Sequence, residues 1–561
     1  MFTIGIDVGG TYTDLVATDS DGRTVFAKSP STPDDQSIGV MAGLDELARR
    51  LNTTRAEMLA ATDRLVHGTT VATNALLEHK GAKVALLTTE GHRDVLEMRE
   101  GLKPDRYDLR SPPPEPLVPR ERRFGVRERL RADGEVLIPL DRSSLDAAIA
   151  TIRASGANSV AVCFLHAYLN PVHEIAAAER LRRELPDLNV SRSGDVLPQI
   201  KEYERVSTTV VNAYVEPVVR RYLTNLAQRL SEAGFRGSLF VVLSHGGMAP
   251  VEEASRLAAG TVLSGPAGGI SGSRRCADLL GIPDLVPFDM GGTSTDISLI
   301  SGGHVSLSAD GIRLMTLRRG VDPRKFSLLS FGGAAGLHAA EVARELEIRR
   351  IVVPTVASVL SAWGMLTSDL RYEVSRTRYG TARISPEEVR DLFAALEQQA
   401  AGRLRGWFDG PISTERSAEM RYGEQVFEID VALDGLEWNA ADIVERIEDR
   451  FHHRHEELYT YASRGQEVVF VNARVAAIGE VAQRRRGDVT QTAQGICSPR
   501  AKRRAYLGEW REVPVYALDD LKPGHSLAGP AIIEAETTTV LIDTGDRVTV
   551  NALGWLDIVL R

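Results

Sequence analysis

Cysteine is scarce in this chain of 561 residues, which has three, at Cys163, Cys276 and Cys497. Three cysteines so far apart provide neither a disulfide framework nor a CxxC zinc site, so we expect a reducing, cytoplasmic environment. No apolar run approaches the ~18 residues of a membrane span. The first residues, MFTIGIDVGG, lack the basic region and long apolar run of a signal peptide. We therefore expect neither a disulfide-rich secreted protein nor one that spans a membrane.

Long blocks of lysine and arginine are also missing, and the formal net charge is −9. This balance argues against a nucleic-acid partner and against an anionic membrane surface. Hydrophobic residues make up 43% of the chain and charged residues 25%, which is typical of a soluble globular protein. The length exceeds what one hydrophobic core supports, so we expect three or four domains.

Strand and helix patterns alternate up to about residue 380. The clearest predicted elements there are buried strands over 83–88, 159–165 and 239–244 and helices over 38–51, 143–154 and 203–233. Such alternation predicts a mixed, largely parallel α/β body. Beyond it, 421–433 and 467–478 alternate like antiparallel strands around a helix near 441–459, which predicts a separate α+β domain.

One segment of eight residues occurs twice. Residues 7–14 read DVGGTYTD and residues 289–296 read DMGGTSTD, with six of the eight positions identical. Each copy follows an apolar strand and precedes another, so each predicts a strand–turn–strand unit. Self-similarity in matching structural context predicts two related subdomains.

The chemistry of the repeat suits a phosphate. Adjacent glycines let backbone N–H groups approach an anion closely, threonine hydroxyls add donors, and an aspartate at a strand end can hold Mg²⁺. The candidate phosphate-binding residues are Gly9, Gly10, Thr11, Gly291, Gly292 and Thr293; the candidate catalytic residues are Asp7, Asp289, Thr13 and Thr295. Asp7 and Asp289 are also the candidate metal ligands. Ordinary Gly-Gly hairpins are the alternative, and the near-identical pair argues against it.

Three further turns are candidates for the same ligand. Gly68, Thr69 and Thr70 precede a predicted helix, whose start suits a phosphate, although simple helix capping explains the threonines equally well. The run SGPAGG around Gly265 precedes another predicted helix start, with a tight packing turn as the alternative. Gly332, Gly333 and Ala334 follow an apolar strand and offer bare backbone to a ribose or base.

Other polar residues are open to two interpretations. His452, His455 and Glu456 share one helical face and suggest a metal site, but a solvated helix face is the favoured interpretation. His245 is interpreted as a substrate-side or structural residue, and Glu204 and Arg205 as substrate-facing or as a surface ion pair. Asp14 and Asp296 either stabilise their turns or orient water.

The motifs resemble those of the hydantoinase A/5-oxoprolinase family, within the actin/sugar-kinase ATPase superfamily. The resemblance covers nearly the whole chain and rests on RLVHGTTVATNALLEHKGAKVALLTTEGHRDVLEMRE (64–100), YERVSTTVVNAYVEP (203–217), LSHGGMAP (243–250), LSGPAGG (263–269), PFDMGGTSTD (287–296), SFGGAAGLHAAEVA (330–343), GMLTSDLRYEVSRT (364–377) and GPAIIEAETTT (529–539). It implies an α/β fold, a duplicated actin-like (ribonuclease H-like) ATPase body with a C-terminal α+β domain. The implied domains are two ATPase halves at 1–200 and 201–378 and the C-terminal domain at 379–561.

The resemblance also implies an activity. ATP with Mg²⁺ would phosphorylate a carbonyl oxygen of a cyclic amide, such as a hydantoin or 5-oxoproline, with the help of a hydantoinase B-like second subunit in a hetero-oligomer. An ATP-binding subunit of an acetone or acetophenone carboxylase-like enzyme is one alternative. A non-catalytic actin-like nucleotide switch is the other, because such clefts also serve as scaffolds.

One departure from the family pattern follows the second repeat. Family members carry a long Gly-rich segment there, whereas Gly302-Gly303 here leads within a few residues to IRLMTLRRGVDPRKF. The resemblance therefore predicts a missing stretch after residue 303.

The repeat makes a geometric prediction. Both turns should face each other across one cleft, with Gly10 and Gly292 closer to each other than either is to the C-terminal tail, and with Asp7 and Asp289 directed at a single Mg²⁺. Thr69, Thr70 and Gly265 should line that cleft, and Gly333 should lie at the nucleoside.

Overall fold

A computed structural model describes residues 1–101, 107–108, 110, 112, 114–292, 295–302, 304–307, 322–378, 383–423, 425–481 and 497–561. In chain order the strands are β1 (Phe2–Val8), β2 (Tyr12–Asp19), β3 (Thr24–Pro30), β4 (Thr62–Thr69), β5 (Val84–Thr89), β6 (Arg123–Val126), β7 (Arg129–Leu130), β8 (Val136–Ile138), β9 (Ser159–Cys163), β10 (Asn189–Arg192), β11 (Ser238–Val242), β12 (Met248–Pro250), β13 (Leu285–Met290), β14 (Thr295–Ser301), β15 (His304–Leu307), β16 (Ser327–Phe331), β17 (Arg350–Val353), β18 (Leu370–Thr377), β19 (Ile412–Tyr422), β20 (Ile429–Ala432), β21 (Val468–Gly479), β22 (Ala501–Tyr506), β23 (Trp510–Ala517), β24 (Ser526–Ala528), β25 (Ala531–Glu534), β26 (Thr539–Ile542), β27 (Arg547–Val550) and β28 (Leu556–Val559).

The helices connect these strands and cover their faces. The α-helices are Gln36–Arg50, Arg55–Ala60, Val71–Leu77, Val95–Met98, Arg142–Ser155, Val172–Glu184, Ser193–Val196, Glu202–Glu232, Val251–Arg256, Ser264–Leu280, Ala335–Glu345, Leu360–Met365, Pro386–Arg405 and Ile443–Tyr459. Several begin where local chemistry dictates. The Asp35 carboxylate accepts from the Ser37 N–H and starts Gln36–Arg50, and Ser385 forms a capping box with Glu388.

The duplication predicted from the repeat is visible in strand order and direction. The first unit has the order β3-β2-β1-β4-β11, in which β1 is antiparallel to β2 and parallel to β4, and β4 is parallel to β11. The second unit has the order β15-β14-β13-β16-β17 with the same directions at each pairing. The predicted α/β body with a repeated actin-like unit is confirmed.

Each unit has its own core. The first is centred on Ile4, Ile6 and Leu15, against the helices Gln36–Arg50 and Glu202–Glu232. The second is centred on strands β13, β16 and β17, against Ala335–Glu345. β1 and β2 are buried on both faces over their middle residues, with Leu15 and Val16 in different cores.

A smaller parallel sheet, β10-β9-β5-β6, is attached to the first unit. The helices Arg142–Ser155 and Val172–Glu184 pack against it through residues such as Ile149, Ile152 and Leu181. The predicted strands at 83–88 and 159–165 and the predicted helix at 143–154 correspond to these elements within two residues.

The part of the chain after residue 378 divides between the two units. Strands β19, β20 and β21 extend the first sheet through β18, into ten strands. Strands β28, β27 and β24 extend the second sheet through β17, into eight strands. A separate four-stranded sheet, β22-β23-β25-β26, packs on the second unit through β25 and β26. The division at 200 and 378 stays a prediction, and the sheets run across both positions.

Among the described residues, no helix has the length and apolar character needed to cross a membrane.

Candidate active site

A cleft of about 1520 Å³ is lined by both repeated units. The candidates from the sequence that line it are Asp7, Gly9, Gly10, Thr11, Thr70, Gly265, Asp289, Gly291, Gly292, Gly332, Gly333 and Ala334. These residues come from segments up to about 300 positions apart in the chain. The fold thus brings most of the predicted phosphate-binding residues to one surface.

The two repeated turns meet within this cleft. In the first, the Gly9 N–H donates to the Tyr12 carbonyl over 3.0 Å, and Asp7 lies opposite Asp14 in the ladder. In the second, Asp289 lies opposite Asp296 in the same way. A Cβ at Gly292 would lie 3.8 Å from the Thr11 hydroxyl oxygen, so the turns approach each other as the repeat predicts.

Asp7 lies at the floor of the cleft between two glycines. A Cβ at Gly68 or at Gly265 would lie 3.3 Å from Asp7 Oδ1, so side chains there would crowd the carboxylate. Asp7 Oδ1 is buried and has no hydrogen-bond partner in the described structure. Burial, and then the charge of Asp14, raise the pKa of Asp7 to about 7.

Asp289 occupies the equivalent position in the second unit. Burial raises the pKa of Asp289 well above its usual value, and the carboxylates of Asp296 and Asp7 add to the effect. A Cβ at Gly332 would lie 2.5 Å from Asp289 Oδ1, and Gly332 has a φ of +88°. Both facts require glycine at this position.

Lys28 lines the cleft but belongs to no motif that would single it out in the sequence. Its ammonium donates to Asp14 Oδ1 over 2.6 Å and to the Ser358 carbonyl over 2.8 Å, so it links the first hairpin to the short 3₁₀ turn Ala357–Val359. Its charge acts against the raised pKa of both Asp7 and Asp289. Asp14, one of the residues left open above, is therefore the anchor of this lysine.

Some predicted site residues lie behind the cleft surface. Thr13 is fully buried with its hydroxyl 3.2 Å from that of Ser31. The Thr69 hydroxyl accepts from the Val71 N–H just before the helix Val71–Leu77, and the N-cap residue Thr70 makes no side-chain capping bond. Gly68 lies beside the Asp7 carboxylate, where a side chain would crowd Asp7 Oδ1. Thr295 is exposed at the start of β14 and is not among the cleft-lining residues. Thr293 lies outside the described residues. The proposed catalytic roles of Thr13 and Thr295 stay predictions.

The glycine run around Gly265 differs from its predicted structure. The helix begins at Ser264, so SGPAGG forms its first turns instead of preceding it. Gly268 and Gly272 face the helix Leu360–Met365 closely: a Cβ at Gly268 would lie 2.8 Å from the Ser361 carbonyl oxygen. The close packing of these two helices explains the glycines. Neither the hydrophobic periodicity nor the composition of the segment reveals that packing.

The remaining polar candidates lie elsewhere. Arg205 is buried and donates to the Phe164 carbonyl and the Ser193 hydroxyl, so it forms no surface ion pair with Glu204. The imidazole of His245 accepts from the Gly247 N–H within its own turn. Neither Arg205 nor His245 is among the residues that line the cleft.

The interpretation of the histidine-rich helix as a solvated face is wrong for two of its residues. His452 and His455 are buried; His452 bonds the Tyr422 hydroxyl over 2.8 Å, and His455 lies between Gln425 and the Tyr461 carbonyl. Aromatic rings pack around both imidazoles. The hydrogen bonds of the two rings offset the cost of burying their polar nitrogens. Within the described part of the chain, no group of three metal-ligating side chains is found.

Two units of identical topology, each presenting a glycine turn and a buried aspartate to one cleft, define an actin-like ATPase fold. Three models of the hydantoinase/oxoprolinase family match the chain: the N-terminal region at 3–185, the central hydantoinase/oxoprolinase model at 205–311 and 304–374, and the C-terminal domain at 382–557. The chain belongs to the hydantoinase/oxoprolinase family.

Individual relatives span the whole chain. Caprolactamase subunit alpha of Pseudomonas jessenii is 30% identical over 98% of each chain, and the crystal structure of that organism's ATP-dependent caprolactamase superposes with a TM-score of 0.87, 29% identity and 99% coverage of both chains. An acetone carboxylase structure shares the fold, with a TM-score of 0.80 at 21% identity and 99% coverage of both. The chain covers 56% of 5-oxoprolinase 1 of Arabidopsis thaliana, at 25% identity over 98% of its own length.

The comparisons also bear on the expected missing stretch. The alignment with caprolactamase subunit alpha runs to 681 positions, against 561 residues here, so this chain lacks residues that the relative contains. The central family model matches in two pieces that meet at 304–311, the region where the stretch was expected to be absent.

Proposed function

We propose that this cleft binds Mg²⁺-ATP and that the chain transfers the γ-phosphoryl group to the carbonyl oxygen of a cyclic amide. One observation carries the proposal: both copies of the repeat place a glycine turn and a buried aspartate in the same cleft, close enough for Asp7 to raise the pKa of Asp289. A triphosphate needs N–H donors along its length and a metal to offset its charge. The two turns supply the donors.

The aspartates fit Mg²⁺. Asp7 Oδ1 is a buried oxygen without a hydrogen-bond partner in the described structure, and Asp289 is a second carboxylate held among like charges. Oxygen donors of this kind are what Mg²⁺ prefers. In the proposed site Asp7 and Asp289 hold the metal, which supplies positive charge to the phosphates.

The chain's own residues then need only orient the phosphates and neutralise their negative charge. The turns at Gly9–Thr11 and Gly291–Gly292 orient the phosphates, and Lys28 provides a fixed cation at the carboxylate cluster. The amide oxygen forms a bond to phosphorus while the bond to the β–γ bridging oxygen breaks, and ADP leaves. The phosphorylated carbon becomes a good electrophile, which explains why hydrolysis of a stable lactam requires ATP.

Relatives support the substrate class and a partner. The relatives named caprolactamase and 5-oxoprolinase act on cyclic amides by their names, and several relatives are named as subunits of larger enzymes. We therefore assign this chain to a hetero-oligomer with a hydantoinase B-like subunit. Its three unpaired cysteines favour the cytoplasm.

A substrate screen tests the proposal. ATP hydrolysis by the purified chain is measured with ε-caprolactam, 5-oxoproline, hydantoin, acetone and acetophenone, with and without the second subunit and bicarbonate. Stimulation by a cyclic amide supports the proposal. Stimulation by a ketone with bicarbonate indicates the carboxylase alternative. Slow ATP hydrolysis at a rate that none of the compounds changes indicates a nucleotide switch.

A further inference from the structure

The C-terminal part of the chain contributes a turn to the cleft. β25 and β26 form a hairpin in which Glu534 pairs with Thr539 and the Ala535 N–H donates to the Thr538 carbonyl over 2.9 Å. Glu536 and Thr537 therefore occupy the tip of this turn, and residues 535–539 line the cleft. We call residues 535–538 the tip turn. It follows the Gly332–Ala334 segment by about 200 residues, and no sequence motif connects the two.

The tip turn packs directly on the second unit. A Cβ at Gly333 would lie 3.6 Å from the Thr537 carbonyl oxygen, and the Thr538 hydroxyl donates to the Gly333 carbonyl over 3.5 Å. The hydroxyls of Thr537 and Ser358 are hydrogen-bonded to each other. The turn thus covers the glycine segment at which we place the nucleoside.

The same turn is bound to the first unit by an ion pair. Arg50, the last residue of the helix Gln36–Arg50, forms a bidentate pair with Glu536, with N···O distances of 2.5 and 2.9 Å. Glu46 holds the Arg50 side chain from the other side over 2.8 Å. One turn therefore joins both walls of the cleft at its nucleoside end.

We propose that the tip turn is the third wall of the nucleoside site and that the Arg50–Glu536 pair keeps this end of the cleft closed around bound nucleotide. The inference rests on the proposed ATP site. Nucleotide exchange then requires the pair to separate, because Glu536 and Arg50 span the gap between the units while Thr537 stays on the second. The pair is partly exposed, so its loss weakens closure only moderately.

Release of a fluorescent ADP analogue, mant-ADP, tests this. Stopped-flow chase with unlabelled ADP is carried out on wild type, Glu536→Gln, Arg50→Gln and the double variant. We expect each single variant to release nucleotide about fivefold faster, and the double variant to match the singles, since all three lose the same pair. Arg55→Gln is the control, because Arg55 pairs with Asp45 near the same helix but neither residue lines the cleft.

The outcomes separate the two proposals. Nucleotide that binds wild type but leaves the Glu536→Gln and Arg50→Gln variants at the wild-type rate overturns the closure and leaves the ATP site standing. Release accelerated equally by Arg55→Gln also overturns it, because a general loosening of the helix would then be the cause. If wild type binds no nucleotide, the ATP site and the closure fall together. Urea unfolding of each variant shows whether a change in release comes with a loss of stability.

Discussion

Asp7 has a buried carboxylate oxygen without a hydrogen-bond partner in the described structure, which is an expensive arrangement for a residue that serves stability alone. Its neighbours on two sides are glycines, and the nearest cation, Lys28, is bound to Asp14. The excess negative charge at the cleft floor is therefore available to a bound cation. This arrangement costs folding free energy and leaves a carboxylate oxygen for the proposed metal.

The pH dependence of unfolding follows from this burial. Because the folded pKa of Asp7 is about 7 and the unfolded value is 3.8, protonation favours the folded state, and this contribution is lost as pH rises from 4 through 7. We expect the Asp7→Asn variant to lack this loss, which is on the order of 4 kcal/mol in all and about 3 kcal/mol between pH 5 and pH 8. Urea unfolding at pH 5 and pH 8 without metal or nucleotide measures it. Asp187→Asn, at an exposed position, is the control. Equal pH dependence in wild type and Asp7→Asn would contradict the expectation.

Asp289→Asn should abolish Mg²⁺-ATP hydrolysis and leave the fold intact. The amide has nearly the same shape, and removing one of several repelling carboxylates adds no strain, so we expect a melting temperature at or above that of wild type. ATP turnover should fall by about 100-fold or more because the metal loses a charged ligand. Steady-state ATPase assays and thermal melts check both parts; activity close to wild type would remove Asp289 from the metal site.

Sequence reasoning reached the cleft residues that lie in recognisable turns and missed those whose role depends on a distant contact. Asp7 and Asp289 stand out because their motif occurs twice. Lys28 and Ser358 carry no local signature, since each acquires its position only from the folding of distant segments. Glu536 lies in the motif GPAIIEAETTT (529–539), but nothing in that motif predicts its pairing with Arg50. The buried His452 was misjudged because helical period does not tell which face is covered by a neighbouring strand.

Among the elements, the helices Ser264–Leu280 and Leu360–Met365 approach each other closely through their glycines. A Cβ at Gly364 would lie 2.1 Å from the Gly268 carbonyl oxygen and 2.4 Å from the Gly272 nitrogen. Backbone atoms cannot move aside as side chains do. The helix that begins beside Asp7 is thus fixed in place by the second helix, and the position of the cleft floor depends on that contact.

Gly364→Ala should therefore destabilise the protein by about 3 kcal/mol, the upper end for an overpacked core position. Gly402→Ala is the matched control: it lies exposed within the helix Pro386–Arg405 with no atom near its Cβ position, and we expect it to stabilise by about 0.5–1 kcal/mol. Urea unfolding of both variants gives the comparison. A Gly364→Ala variant as stable as wild type would show that the two helices separate easily.

For the whole molecule, the division into two ATPase halves and a C-terminal domain stays a prediction, and the strand order adds pairings that the sequence did not predict. The repeated units were identified correctly, because hairpin and parallel-strand patterns are local. The distribution of the later strands between both sheets was not predicted. Pairings such as β21 with β18 and β28 with β17 join segments that are far apart in the sequence. Alternating strands look alike whether they extend an old sheet or begin a new one.

We expect that this chain alone does not complete the hydrolysis of a cyclic amide. Among its described residues, the cleft contains glycine turns and carboxylates, and no group of three or more side chains suited to a metal is found. Incubation of the purified chain with ATP and a stimulating lactam should yield ADP without ring-opened product, detected by chromatography. Adding the second subunit should yield ADP and ring-opened product in equal amounts. Ring opening by the single chain would contradict the division of labour.

The pairing of β17 with β28 has a consequence for synthesis on the ribosome. β17 ends at Val353, and the strand that covers its edge begins at Leu556, about 200 residues later. At translation rates of 5–20 residues per second, the edge of the second sheet stays uncovered for roughly 10–40 s in every nascent chain. An unpaired strand edge is a template for wrong pairing. During that interval the emerging protein is a natural client for a chaperone that shields strand edges.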